Sequence, residues 1–420
     1  MSVACVHTAQ GTVQGGIPIA IEADLSRGLH SFSIVGLPGK AIEEAKDRVS
    51  AAIKNSGFPS PKSLNHKITI SLSPADVKKE GPLFDLPIAI AYLLAAKEIT
   101  NDTKKRMFVG ELGLNGSIRR VHGVLPIVEV AQREGYDEVI VPLENAREAA
   151  LIDGINIYGA STLNDVVRHI DTNTATSALL VRQDLTLFAP EWTEGLIRLE
   201  DIKGQESAKR GLLIAAAGRH NVIMVGPPGT GKTMLARAFQ GILPPLSREE
   251  ALQVTAIHSL AGLFEGEVSC KPPFRAPHHT ASHTSLVGGG AHPRPGEVTL
   301  AHKGVLFVDE FPEFDRRSID ALRQPLEDRV VSISRIQGSA LFPADFILVA
   351  AMNPYRGSEN GTTDFASAML ETYKGKISGP ILDRIDLWLE VPHVDYETLT
   401  NSPREEGQTQ KAREQILKAR

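Results

Sequence analysis

Cysteine is nearly absent: Cys5 and Cys270 are the only two in 420 residues. Two thiols so far apart give neither a disulfide framework nor a zinc cluster, and they fit a reducing compartment. A surplus of positive charge is also missing. Lys and Arg total 45 against 50 Asp and Glu, a formal net charge of −5. No global basic field advertises nucleic acid, so any such contact has to come from a local basic surface, such as the lining of a pore. Long hydrophobic runs are lacking too; the longest, Leu86 to Ala96, is too short to cross a bilayer. The N-terminus lacks the basic-then-apolar pattern of a signal peptide, and a cytoplasmic setting is the expectation. Repeats and low-complexity tracts are absent as well. What remains, 42% hydrophobic and 23% charged, is the composition of a soluble globular protein. The length suffices for two or three domains, each with its own core.

Residues 1–168 alternate short β-like runs with helical ones. Ile17–Ala23, Ser31–Gly36, Lys67–Leu72 and Glu138–Pro142 read as strands. Ala41, Ala45, Val49, Ala52 and Ile53 recur at helical spacing, and Asp85–Ala96 reads as a buried helix. This is an α/β or α+β domain. Residues 169–197 are polar and Thr-rich, as a linker would be. A second domain is expected over 198–395. The charged helical run in 396–420 is expected to begin a further helical lid that continues beyond Arg420.

The stretch Gly226-Pro227-Pro228-Gly229-Thr230-Gly231-Lys232-Thr233 fits G-x-x-x-x-G-K-[ST] in full. An apolar run, Asn221–Val225, precedes it as a strand would, and Met234–Phe239 follows as the start of a helix. Such a loop wraps phosphate with backbone N–H groups, while Lys232 meets β/γ-phosphate charge and the Thr233 hydroxyl ligates Mg²⁺. ATP and Mg²⁺ are therefore the expected cofactors. Val305–Val308 is a second apolar strand ending in Asp309 and Glu310. Placed next to the phosphate loop, it would bring Asp309 near Thr233 to hold Mg²⁺ through water, and Glu310 beyond the γ-phosphate to polarise the attacking water. A third apolar strand, Phe346–Met352, ends in Asn353, whose amide suits the lytic water or the γ-phosphate. Arg384 stands among acids in Leu382-Asp383-Arg384-Ile385-Asp386. Spacing alone leaves it either a surface partner of Asp383 or Asp386, or a group reaching a neighbouring subunit's γ-phosphate.

The order phosphate loop, acidic strand, Asn-ended strand and Leu-Asp-Arg segment resembles an AAA+ ATPase. The words between are more specific: Phe274–Thr280, Val287–Gly290, Pro293–Glu297 and Arg323–Asp328 look like the magnesium-chelatase-like group, and within it the ComM (YifB) family. The resemblance covers essentially the whole chain. It implies Lys232 and Thr233 at the nucleotide, Asp309 and Glu310 as the acidic motif, Asn353 as the sensor and Arg384 as the trans-acting arginine. It also implies a homo-hexameric ring working on DNA in branch migration during natural transformation, with recombination proteins as possible partners and no membrane. The family commonly carries cysteines after its Asn-Pro; here Asn353-Pro354 is followed by none, so no zinc site is expected there.

Lys79-Glu80-Gly81-Pro82-Leu83 resembles the nucleophile segment K-[DE]-G-P-S of the Lon-type protease domain. Leu83 stands where the serine belongs, and matching Val139–Pro142 puts Leu125 where the lysine falls. A dyad without its nucleophile has no covalent route. The expected fold is thus α/β: a P-loop AAA+ ATPase domain preceded by a Lon-protease-like, ribosomal-S5-domain-2-like domain serving as scaffold or binding module.

Six histidines, His258, His278, His279, His283, His292 and His302, crowd one region. His279 and His283 have metal-ligand spacing if helical, but no carboxylate motif accompanies them. The alternative is polar loop residues, which with Arg275 would offer donors to phosphates in a pore. Val330–Phe342 alternates and turns at Gln337-Gly338, as a β-hairpin does, and Arg335 is its candidate DNA contact. An exposed hairpin arginine is the plainer reading of that residue. An ATP-driven DNA motor is the leading functional expectation, and an ATPase that remodels a protein partner is the alternative.

Overall fold

The computed structural model describes residues 3–63, 65–101, 103–171, 179–192, 197–264, 266, 268–289, 294–335, 338–353, 377–395, 400 and 405–420. The chain divides into two compact units, Met1–Phe188 with His258–Glu267, and Ala189–Ile257 with Val268–Arg420. Among the described residues no helix is long and apolar enough to cross a membrane.

The first unit is built on β1 (Val3–Thr12), β2 (Gly15–Arg27), β3 (Ser31–Val35), β4 (His66–Ser73), β5 (Arg106–Phe108), β8 (Glu138–Pro142) and β9 (Asn156–Ala160), with β6 (Glu111–Leu112) and β7 (Ile118–Arg119) forming a small ribbon. The seven-stranded sheet runs β3-β4-β2-β1-β5-β8-β9. Its β4-β2-β1 middle is antiparallel and its two ends are parallel. The helix Asp85–Ala95 is apolar on nearly every face and buried, and it packs with helix Val124–Arg133 on β1 and β2. The helical spacing of Ala41, Ala45, Val49, Ala52 and Ile53 is divided between two helices, Lys40–Glu43 and Ala45–Asn55.

Where a dyad would stand there is packing. Leu83 is buried in the turn Pro82–Phe84, and Leu125 is fully buried in helix Val124–Arg133. Beside them Asp85, wholly buried, accepts from Arg48 Nε (2.9 Å) and Nη2 (3.1 Å) and from the Leu112 N–H (3.3 Å). Burial pushes this carboxyl up to about 6, with the Arg48 guanidinium opposing.

Part of the segment expected to be a linker belongs to this unit. Helix Leu163–Ile170 starts at a Thr162–Asp165 capping box and runs past residue 168. The Leu180 N–H then donates to His169 Nδ1 (3.2 Å), Gln183 to Ile157 O (2.8 Å) and Thr186 to Ala150 O (2.8 Å). The Gln183 bond and the bridge between Tyr158 and Arg182 lie on the edge of β9, while the other two bonds tie the stretch to His169 and to Ala150.

The second unit contains β10 (Val222–Val225), β11 (Phe274–Arg275), β14 (Val305–Val308), β17 (Ile347–Met352) and β18 (Leu387–Glu390) in one sheet. All its pairs are parallel, in the order β11-β14-β17-β10-β18. Strands β10, β14 and β17 are buried at every residue, which is why each reads as an unbroken apolar run. Two ribbons stand apart, β12 (Gly288–Gly289) with β13 (Arg294–Pro295), and β15 (Val330–Arg335) with β16 (Gly338–Pro343). The core includes Leu212, Met224, Leu235, Phe239, Phe307 and Val349. The last helix, Gln408–Ala419, adds Ala412 and Ile416 to that core and so packs into this unit.

His302 lies 5% exposed at the foot of β17, and its Nδ1 accepts the Asp345 N–H (3.1 Å). The Asp345 carboxylate takes Arg219 Nη2 (2.8 Å) and Lys303 Nζ (2.9 Å). Burial, helped by Lys303, drives the His302 ring from 6.5 down to about 4. Below 6.5 the unfolded ring takes a proton that the folded one refuses. This stability is therefore complete above pH 6.5 and is lost as pH falls to 4, about 3 kcal/mol in all. We predict that His302→Gln flattens the acid limb of the second unit's stability, measured by urea unfolding at pH 7.5, 5.5 and 4.5. An unchanged slope would refute this origin.

Candidate functional site

Three strands end together at the carboxyl edge of the second sheet. β10 delivers the glycine loop, β14 the acids and β17 the asparagine. The loop is fixed by its first glycine: Gly226 N–H donates to Met352 O (3.3 Å), and Val391 N–H to Val225 O (2.7 Å). A Cβ on Gly226 would stand 2.0 Å from Val391 O, so only glycine fits. Gly229 and Gly231 take φ of 79° and 90°, and around each a Cβ would meet only open space. The loop thus curls round a concavity at the head of helix Lys232–Ile242, where its unpaired N–H groups and dipole favour an anion.

Lys232 is 7% exposed, and its ammonium donates to Gly226 O (2.6 Å), Pro227 O (2.8 Å) and Asn353 Oδ1 (3.0 Å). Burial pulls this amine below the ordinary lysine range; the Asp309 carboxylate opposes that shift. Thr230 Oγ1 donates to Pro227 O (3.0 Å) and closes the turn. The Thr233 hydroxyl donates to Asp309 Oδ2 (3.2 Å). Strand β17 lies between the acidic strand β14 and β10. Thr233 still reaches Asp309 because it sits on the helix and not on the strand. Thr233 with Asp309 is a hydroxyl–carboxylate pair of the type Mg²⁺ takes, and the glycine cradle with Lys232 has the shape and charge for polyphosphate.

Glu310 adopts a left-handed conformation (φ 51°), uncommon for a non-glycine residue, with its N–H on Asp309 Oδ1 (2.9 Å). Its half-exposed carboxylate lies 3.2 Å from His279 Nδ1. This contact was missed in the sequence, where the two residues stand 31 apart; only the pairing of β11 with β14 brings them together. The His278 ring lies against that of His279, centroids 4.1 Å apart and planes tilted by 34°. His279 and His283 do not share a helix, because the helix begins at His283 behind the Ser282 cap. Among the described residues no group of three or more His, Cys, Asp or Glu is placed to hold a metal, and His292 lies outside them.

Two arginines have partners that their spacing does not show. Arg275 meets Glu297 through one edge of its guanidinium, Nε to Oε2 at 2.6 Å and Nη2 to Oε1 at 2.8 Å. Arg384 pairs with neither flanking acid. Its Nη2 donates to Glu327 Oε1 (3.0 Å), while Asp386 accepts from the Asn221 N–H (2.8 Å). Arg384 also stands away from the phosphate loop. It precedes β18, whose Leu387 pairs in parallel with Val222, so it lies at the amino edge of the sheet and the loop at the carboxyl edge. The expected hairpin is present as β15–β16, but the Arg335 side chain lies outside the described residues.

Comparison with known proteins covers both units. The family model described as Magnesium chelatase, subunit ChlI, matches residues 198–399, and that described as Subunit ChlI of Mg-chelatase matches residues 21–145. The chain is 43% identical over 433 residues to Competence protein ComM of Haemophilus influenzae, an alignment covering 100% of this chain and 82% of that protein. It is 46% identical over 399 residues to the protein YifB of Salmonella typhimurium, covering 93% and 76%. Similarity to the Magnesium-chelatase 67 kDa subunit of Chlorobaculum parvum is weaker, 29% over 166 residues, 39% of this chain and 24% of that one. With its phosphate loop, acidic strand and asparagine assembled on one parallel sheet, the chain belongs to the ComM/YifB family of magnesium-chelatase-like AAA+ ATPases.

Proposed function

We propose that the chain hydrolyses ATP with Mg²⁺ in a homo-hexameric ring, and that the ring drives branch migration of DNA during natural transformation and recombination. The observation that carries the ATP chemistry is the 3.2 Å contact between Thr233 and Asp309, two residues 76 apart in sequence. The glycine loop and helix N-terminus bind the β- and γ-phosphates. Lys232 exchanges its carbonyl acceptors for phosphate oxygens. Thr233 and Asp309 hold the metal, which when bound neutralises phosphate charge. Glu310 takes the proton of the water that attacks the γ-phosphorus as the bond to ADP breaks, and Asn353 orients that water. Arg384 completes the site of the next subunit.

The DNA assignment rests on the similarity to a relative named a competence protein and on the hairpin β15–β16, which would enter a pore with Arg335 facing phosphate. The first unit serves as a Lon-protease-like, S5-domain-2-like scaffold, since Leu83 and Leu125 supply no dyad. The test is steady-state ATP turnover with no DNA and with single-stranded, duplex and branched DNA. We expect stimulation of about tenfold or more by branched or single-stranded DNA, the range of ordinary allosteric coupling. Turnover indifferent to every DNA, with no binding, would sink the DNA motor and leave remodelling of a protein partner.

A further inference from the structure

Between β14 and β17 the chain leaves the sheet and returns. The excursion starts beyond Asp309 with Glu310 and ends at Phe346, just before β17 begins; Asn353 follows at the far end of that strand. Midway it forms the short helix Arg323–Asp328 and then the hairpin β15–β16. Helix and hairpin are tied: Ser332 N–H donates to Gln324 Oε1 (3.3 Å), and Ala344 N–H to Arg329 O (2.8 Å). On the same helix Glu327 Oε1 accepts from two guanidiniums, Arg384 Nη2 at 3.0 Å and Arg323 Nε at 3.3 Å. One oxygen thus serves two competing donors. The side chains of Glu327 and Arg384 are 29% and 44% exposed, which makes the pair weak and readily exchanged.

We propose that Glu327 is a positioning residue that holds Arg384 in reserve and yields it to the neighbouring subunit's γ-phosphate, so linking one ATP site to the next. This rests on the reading of Arg384 as acting in trans. When Arg384 leaves, Glu327 keeps Arg323 as its only partner of the two. The helix that carries Glu327 lies on the same excursion as Glu310 and the hairpin, and that excursion runs directly into β17, the strand that ends at Asn353. Occupancy of the neighbour's site is thereby felt where this subunit's own water and DNA contacts are set. A plain surface ion pair would have no such consequence. The geometry that argues for a relay is the shared oxygen together with the place of the helix on the one segment that joins Glu310 to the hairpin and to β17.

The test is ATP turnover against ATP concentration in the full chain. Glu327→Gln is expected to raise turnover without DNA by roughly two- to fivefold, the worth of a half-exposed ion pair, and to bring the Hill coefficient towards one. Arg323→Ala, which removes the competitor and leaves Glu327 wholly to Arg384, is expected to lower turnover by a similar factor. Opposite signs from two partners of one carboxylate are not the mark of general structural damage. Turnover that is unchanged or lowered in Glu327→Gln overturns the proposal. Failure of the underlying reading looks different, since Arg384→Ala alone would then retain full turnover.

Discussion

Lys232→Ala lowers ATP turnover by about 10²–10³, the usual loss when one charge-stabilising donor is removed from a transition state. The structure gives this side chain two tasks. Its ammonium is held at the loop by Gly226 O and Pro227 O, close to where phosphate charge would develop, and it also fixes Asn353 through Oδ1. Alanine removes the charge and leaves three acceptors without this donor. A fall in nucleotide affinity should therefore accompany the fall in kcat, seen by titration with a fluorescent ATP analogue. Thr233→Ala separates the two contributions. It leaves Lys232 and its three bonds in place and removes only the hydroxyl facing Asp309, so nucleotide binding persists while the Mg²⁺ dependence of turnover weakens. Undiminished turnover in Lys232→Ala would end the phosphate-loop assignment.

The phosphate loop was legible in the sequence because its signals are local. A central parallel strand is apolar throughout, and the glycines report backbone shapes that no other residue tolerates, as Gly226 against Val391 O demonstrates. What could not be read is what depends on strand order. The sequence marks Val305–Val308 and Ile347–Met352 as strands, but nothing in either says that the second lies between the first and β10. The approach of His279 to Glu310 follows from the pairing of β11 with β14 and has no motif. The pairing of Arg275 with Glu297 is hidden in the same way, because the two stand 22 residues apart. Strand β1 was overlooked because His7, Thr8 and Gln10 interrupt its apolar pattern, although Thr8 is fully buried. Residues 179–187 read as linker because they are held by main-chain N–H donors, to His169, Ile157 and Ala150, which leave no side-chain pattern of their own.

Arg384→Ala leaves nucleotide binding largely intact and lowers hydrolysis by about 10³ or more, the scale of a trans-acting arginine. Binding survives because the residue stands at the amino edge of the sheet, away from its own loop, and because its present partner is Glu327. The same placement makes the defect complementable. Glu310→Gln subunits keep Arg384 but lose the base, and Arg384→Ala subunits keep the base. In a head-to-tail ring mixed in equal parts, about a quarter of the interfaces pair an intact Glu310 with an intact Arg384 from the neighbour. Two proteins that are each inactive should therefore regain turnover on mixing, up to roughly that fraction if sites fire independently. An arginine acting within its own chain gives no such gain, because no subunit in the mixture carries both residues. Absence of recovery, with mixed assembly verified by differently tagged subunits, would refute the trans role of Arg384.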